Sequence, residues 1–545
     1  MPMKFNGQRW SRWFVLLCLI GLCAFSCSRR GNTRRVFKEI VFIDHQNLRF
    51  VGDPKTVEFQ AHEAMKNMDK TAEFGVDTYL FFAKETFEAM LNYDFEIRGI
   101  GNVGRQAFSA GCGHRQTGEV LRASLNRVLE YAKVKNLRVF FHSNQFVFPK
   151  EVLKIIQPAV WGTAVCPGRK ATWNIYRHKL NEFLTVFPGV SGFQVTGDET
   201  QISVLECRCD SCRTLTRVDR VNLLTKETAD VCQRNGKEVQ MRTWQRMGEL
   251  EREARPADMG KGLPSNVFFS IKNTRGDFHL PNPVDEVFLR AADPKRVIVE
   301  FDAWREYDGN NYFPCYMGDV WAPRFKLLKD LGVERIAVRL NWNSNKNPVF
   351  ERPWGNLVNL TLFLKLAKQP ERAPDDLLRG YIRDRFPKNA REAAFELYKY
   401  SSEFQQTVYY MKGEYCANHS KVQDEDAARN LEHLQGRGYL TEPGHFEKRR
   451  IEIQNACTKA MSLIDRMGAW IPETWRRGMR EGVNVERYVS LGTIYKMEGM
   501  FWKQQNQPAQ LHAVKTLLRE MQNEWKRYHA ESYRSMNGDD LDRHF

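Results

Sequence analysis

The sequence predicts an α/β fold, a (β/α)8 TIM-like barrel followed by an all-helical C-terminal domain, on three observations. Eight short segments rich in β-branched and aromatic residues recur between residues 40 and 342. Helical patterns lie between most of them, and strand alternating with helix implies a parallel sheet. Most of the eight end in a polar or charged residue, where barrel active sites are assembled.

The strands are IVFIDH (40–45), TYLFFAK (78–84), LRVFFH (137–142), FQVTGDE (193–199), EVQMRTW (238–244), VFFSIKN (267–273), RVIVEFD (296–302) and RIAVRLNW (335–342). Several are apolar on both faces, as a covered parallel sheet requires. Apolar residues at helical spacing fill 64–75, 121–135, 170–187 and 324–332, and Gly75 and Gly332 are stop signals. An open doubly wound sheet is the competing fold. No G-x-G-x-x-G turn follows the first strand, and a count of eight favours closure.

Residues 1–27 read as a signal peptide: Lys4, Arg9 and Arg12 precede the apolar run WFVLLCLIGLCAF, which is short for a membrane span. The run closes on Ala24-Phe25-Ser26-Cys27, which resembles a bacterial lipoprotein box with Cys27 as the lipidated residue; plain signal-peptidase cleavage is the other reading. Export to the periplasm or outer cell surface is expected, with any membrane contact made through that anchor. Residues 28–36 read as an Arg-rich tether.

Loss of the signal lowers the formal charge from +16 to +13. Lys and Arg are dispersed and export argues against nucleic acid, so the charge suits an anionic oligo- or polysaccharide, or simply a basic surface. After Pro370 the strand signal fades. Amphipathic patterns at 374–386, 390–411, 446–470, 485–503 and 511–528 make 371–545 a helical domain beside a catalytic barrel over 37–370.

Twelve cysteines include Cys18 and Cys23 in the signal, and Cys27. Among the rest, Cys207, Cys209 and Cys212 form C-x-C-x2-C after the fourth strand, with Cys232 further on. That spacing suits a structural zinc ion, and in an oxidising compartment it equally suits disulfides. No catalytic metal or other cofactor is expected.

Glycoside hydrolysis needs a carboxylic acid to protonate the leaving oxygen and a carboxylate to activate water or attack the sugar. Asp198 and Glu199 end the fourth strand, Asp277 follows the sixth and Glu306 the seventh. A lone loop acid is more often a helix cap or solvated charge; their shared placement at strand ends makes these candidates. Arg242 and Lys272 suit a ligand carboxylate or a barrel ion pair. Trp304, Tyr307 and Trp342 suit sugar stacking or plain packing. His142 and His45 end strands and suit sugar hydroxyls or structural hydrogen bonds.

NVFFSIKNTRGDF followed by VEFDAWREY resembles glycoside hydrolase family 67, the α-glucuronidases, in which a strand with an I-K-N-G-x-x-D-F core precedes one ending in Q-E-Y. VQMRTW is similar to their W-R-A-F strand, VFPGVSGFQVTGDE to the strand carrying their acid, and RPWGNLVNLTLFLKLAKQPERAPDDLLRGYIRDRF to their passage between barrel and helical domain. The resemblance spans about residues 165–390. It implies that Asp277 and Glu306 share activation of water in an inverting reaction, and that Arg242 and Lys272 hold a uronate. Thr196 stands where the family's K-A-D-S-E motif has Lys, and Glu199 lies one residue short of the acid. GDET is also similar to the acid strand of family 20 β-N-acetylhexosaminidases, which implies Glu199 as proton donor and Asp198 as the residue orienting an acetamido group. The sequence thus leads to an exported glycoside hydrolase, with a retaining substrate-assisted enzyme or a non-catalytic glycan-binding lipoprotein as alternatives.

Overall fold

The computed structural model describes residues 36–528, apart from 46–53, 83–85, 144–145, 162–163, 197–206, 208, 244–261, 286–288, 292, 343–347, 418–419, 421 and 423. Eight parallel strands close into a barrel: β1 (Glu39–His45), β2 (Thr78–Phe82), β3 (Arg138–Ser143), β4 (Gly192–Thr196), β5 (Glu238–Thr243), β6 (Val267–Lys272), β7 (Val297–Asp302) and β8 (Arg335–Trp342). Each strand pairs with its neighbours in sequence, and β8 closes on β1. The expected barrel is the fold observed.

Helices α1 (Pro54–Glu73), α2 (Gly113–Val134), α3 (Lys170–Val186) and α4 (Arg217–Arg234) follow the first four strands, and α5 (Gly318–Leu331) links β7 to β8. A capping box of Thr216 and Asp219 starts α4, a helix the sequence periodicity missed. Gly332 ends α5 in the left-handed conformation, as its position in the sequence suggested.

The barrel interior is layered, because alternate residues of each strand point inward. Val41, Ile43, Leu80, Phe140, Ile298 and Ala337 form an apolar plug with Phe268 packed against it. Beneath it, at the strand N-termini, Arg335 bonds Glu39 and Glu238 at 3.0 Å each, while Arg138 meets the same carboxylates at 3.0 and 2.9 Å. Above it lies a polar layer in which Gln194 bonds Gln240 at 3.3 Å and Ser270 at 3.4 Å. The barrel is therefore closed by ion pairs at its N-terminal end, apolar in the middle and polar again toward its C-terminal face.

Among the described residues, a one-turn helix at Pro348–Glu351 and seven longer ones follow: α6 (Leu357–Lys368), α7 (Pro374–Arg385), α8 (Arg391–Tyr409), α9 (Asp424–Gly436), α10 (Gly444–Met467), α11 (Glu473–Gln504) and α12 (Pro508–Tyr528). They form one compact unit with the barrel. A small hairpin, Tyr410–Met411 with Glu414–Tyr415, interrupts them where the sequence showed almost no strand signal. No helix among the described residues is long and apolar enough to cross a membrane.

Candidate active site

Three inward-facing strand residues supply charges of the site: Lys272 closes β6, Asp302 closes β7 and Arg339 lies within β8 opposite Asp302. Asp277 and Glu306 come from the connections after β6 and β7. Lys272 donates to Asp277 and Arg339 reaches Glu306 at 2.6 Å, so each candidate carboxylate has a cation from the strand beside it. All four side chains are almost wholly buried. Tyr307 joins the two halves, because it hydrogen-bonds Asp277 and sits next to the Glu306 charge.

Burial would raise the Asp277 carboxyl, but the Lys272 ammonium, its hydrogen bond and that of Tyr307 hold it well below the usual carboxylate range. Asp302 behaves oppositely: burial pushes it up, against the pull of Arg339 and Arg305. Its Oδ2 accepts the Glu306 backbone N–H at 2.9 Å and so shapes the turn that presents Glu306. The surroundings thus shift the two acids in opposite directions, Asp277 down and Asp302 up.

The turn after β7 is strained. Arg305 has φ +63°, costly for a residue with a Cβ, and its guanidinium is locked by Asp308 and by the Phe278 carbonyl at 2.9 Å. The C-terminal region completes this lock. Tyr410 donates to Asp308 at 2.6 Å and accepts from the Leu280 N–H at 3.0 Å, while Ser420 Oγ donates to the Glu306 carbonyl at 3.1 Å and accepts from the Gly309 N–H at 3.0 Å. His279 lies between the rings of Tyr307 and Tyr415, with centroids 4.4 Å from each, and burial lowers its pKa.

Arg242 pairs with the buried Glu300 of β7. Its Nε lies 3.0 and 3.1 Å from the two Glu300 oxygens and its Nη2 3.0 Å from Oε2, and Ser270 adds a 2.6 Å bond. Of its two sequence readings, the ion pair is the one built here. Lys272 reaches the site, but its partner is Asp277. Trp304 and Tyr307 are nearly buried, like the carboxylates beside them, and the Trp304 carbonyl accepts from Asn356 at 2.9 Å. His142 is fully buried on β3, and Trp342 ends β8. Asp198 and Glu199, like Cys27, lie outside the described residues. Asp44, the acid of IVFIDH, points away from the barrel interior to Asn67 of α1 at 3.0 Å and to Tyr79.

Arg339, Asp302 and Glu300 escaped the sequence reading. The signal was present: each is a charge at an inward position of an otherwise apolar strand, and charges are rarely buried unless paired. Away from the site, Cys207, Cys209 and Cys212 do come together, but their fourth partner is Cys166. Cys232 is separately buried in α4, where helix geometry turns it away from the cluster.

No protein-family model matches the chain, and no curated protein matches it. Solved structures do. A GH138 enzyme targeting pectin rhamnogalacturonan II is similar at a TM-score of 0.57 and 11% identity over 90% of this chain and 76% of that one. CpGH84B matches at a TM-score of 0.44 and 10% identity over 90% and 74%, and a β-N-acetylhexosaminidase from Bacteroides fragilis NCTC 9343 at 0.39 and 16% over 61% and 65%. The chain therefore has the barrel and helical architecture of a solved glycoside hydrolase. Identity this low speaks for the fold alone.

Proposed function

We propose that the chain is a glycoside hydrolase acting on an acidic or decorated polysaccharide fragment with inversion of configuration. The observation that carries this is the convergence of Asp277 and Glu306, from two connections, on Lys272, Tyr307 and Arg339 at the C-terminal face of the barrel. Asp277, kept ionised, and Glu306 activate the water; Glu199, with Asp198 beside it in the sequence, protonates the leaving oxygen. The family 67 likeness of IKNTRGDF and EFDAWREY supports these roles. Lys272 and Arg339 pair with the two candidate carboxylates, and Arg242 pairs with Glu300 in the barrel interior. The signal-like N-terminus and Cys27 support an exported, lipid-anchored enzyme.

The test is a screen of the purified mature protein against uronic-acid and amino-sugar glycosides, with released sugar measured and its first-formed anomer read by proton NMR. Inversion is expected, with about 6.5–9.5 Å between the acid and the water-activating carboxyls. A retained anomer overturns the water-activating role. Binding without release makes the chain a glycan-binding protein.

A further inference from the structure

The cysteine cluster shares no residue with the carboxylate site, and its sulfurs are drawn close together. Cys166 Sγ is 3.1 Å from Cys209 Sγ, 3.5 Å from Cys212 Sγ and 3.7 Å from Cys207 Sγ, and all four sulfurs lie within 4.8 Å of one another. Four sulfurs around a tetrahedral zinc ion at about 2.3 Å stand roughly 3.8 Å apart. The surrounding chain is built for this approach. The Cys166 carbonyl accepts from Thr172 Oγ1 at 2.6 Å and its N–H donates to the Ala159 carbonyl at 2.8 Å, so the residue is anchored on both sides. Cys209 caps the short turn that presents Cys212, whose carbonyl is held by Arg220 at 2.7 Å. At Gly168 a Cβ would stand 2.5 Å from the Ser211 carbonyl and 2.9 Å from Cys212 Sγ, so only glycine permits the contact.

We propose that Cys166, Cys207, Cys209 and Cys212 bind one structural Zn2+ as a tetrathiolate. The bound thiols give up their protons, leaving a site of net charge −2 next to the Arg220 guanidinium. The ion ties the start of α3 to the segment after β4. That segment begins at Thr196 and ends at Cys207, and it contains Asp198 and Glu199.

Elemental analysis of the purified, chelator-washed chain tests this, with non-reducing peptide mapping of the same sample. The expected result is about one zinc per chain, absorption typical of tetrahedral tetrathiolate cobalt after exchange, and no disulfide among the four. Cys166→Ser and Cys212→Ser should each lose the zinc, and Cys232→Ser should keep it. Folded wild-type protein without stoichiometric zinc, with iron in its place, or with any two of the four joined as a disulfide overturns the assignment. The wild-type measurements decide the matter even if the serine variants fail to fold.

Discussion

Arg339 and Glu306 form an ion pair 2.6 Å long between β8 and the turn after β7, with both side chains buried. The pair fixes a candidate water-activating carboxylate to the barrel wall. Asp302, 3.6 Å from Arg339, shares the same guanidinium. Removing one partner leaves a buried charge uncompensated, so Arg339→Met should cost about 3–5 kcal/mol of stability. Arg339→Met with Glu306→Gln should recover part of that loss. Denaturant midpoints of the two variants check this; equal loss in both would show that the charge pair is not the cause.

Asp277 and Glu199 should separate by role. Asp277→Asn removes the proton acceptor, so turnover should fall by about 10²-fold or more on every substrate. Glu199→Gln should cost a similar factor chiefly on substrates with poor leaving groups, because an activated leaving group needs no proton. Matched steady-state kinetics on an aryl glycoside and a natural oligosaccharide would show the difference. Equal losses on both substrates from Glu199→Gln would contradict the acid role.

Arg242→Ala should register first as lost stability. Its guanidinium bonds both oxygens of Glu300 in the barrel interior, and truncation strands that carboxylate at a cost of about 3–5 kcal/mol. Glu300 is held below its usual range by this contact despite burial. Thermal unfolding and calorimetric binding of an acidic oligosaccharide would divide the two roles. Unchanged stability with weakened binding would return Arg242 to the substrate.

Glu486 of α11 offers a pH test. Burial pushes its carboxyl up to about 8, although Gln405 donates to it at 2.9 Å. A carboxyl raised on folding opposes folding once the unfolded chain would ionise, so its cost grows from an unfolded pKa of about 4.3 up to a folded pKa of about 8, then levels off. Glu486→Gln should therefore raise the unfolding midpoint more at pH 8 than at pH 5. A pH-independent gain would mean that Glu486 does not titrate in this window.

Gly309 connects α11 to the active-site turn. It has φ +89°, and a Cβ there would stand 2.2 Å from Glu486 Oε1 and 2.8 Å from Gln405 Nε2. Gly309→Ala should destabilise the fold by more than about 1 kcal/mol and lower kcat, because the displaced turn also carries Glu306. Normal kcat in a destabilised variant would uncouple the turn from the chemistry.

Local pattern was enough to read the eight strands and most of the helices between them, because side-chain alternation and helical spacing are properties of neighbouring residues. The same logic placed Cys207, Cys209 and Cys212 together. It failed for Cys166, which precedes α3 and reaches the cluster only because the barrel sets consecutive loops side by side. It also failed for Arg339 and Glu300, whose meaning lies in partners on other strands: Glu306 for one, Arg242 for the other. Whether Arg242 faced a ligand or an ion pair was undecidable from its strand, since period-two alternation gives the face and not the depth. Closure of the barrel brought Glu300 to Arg242 and Glu306 to Arg339, and so decided which charges neutralise one another.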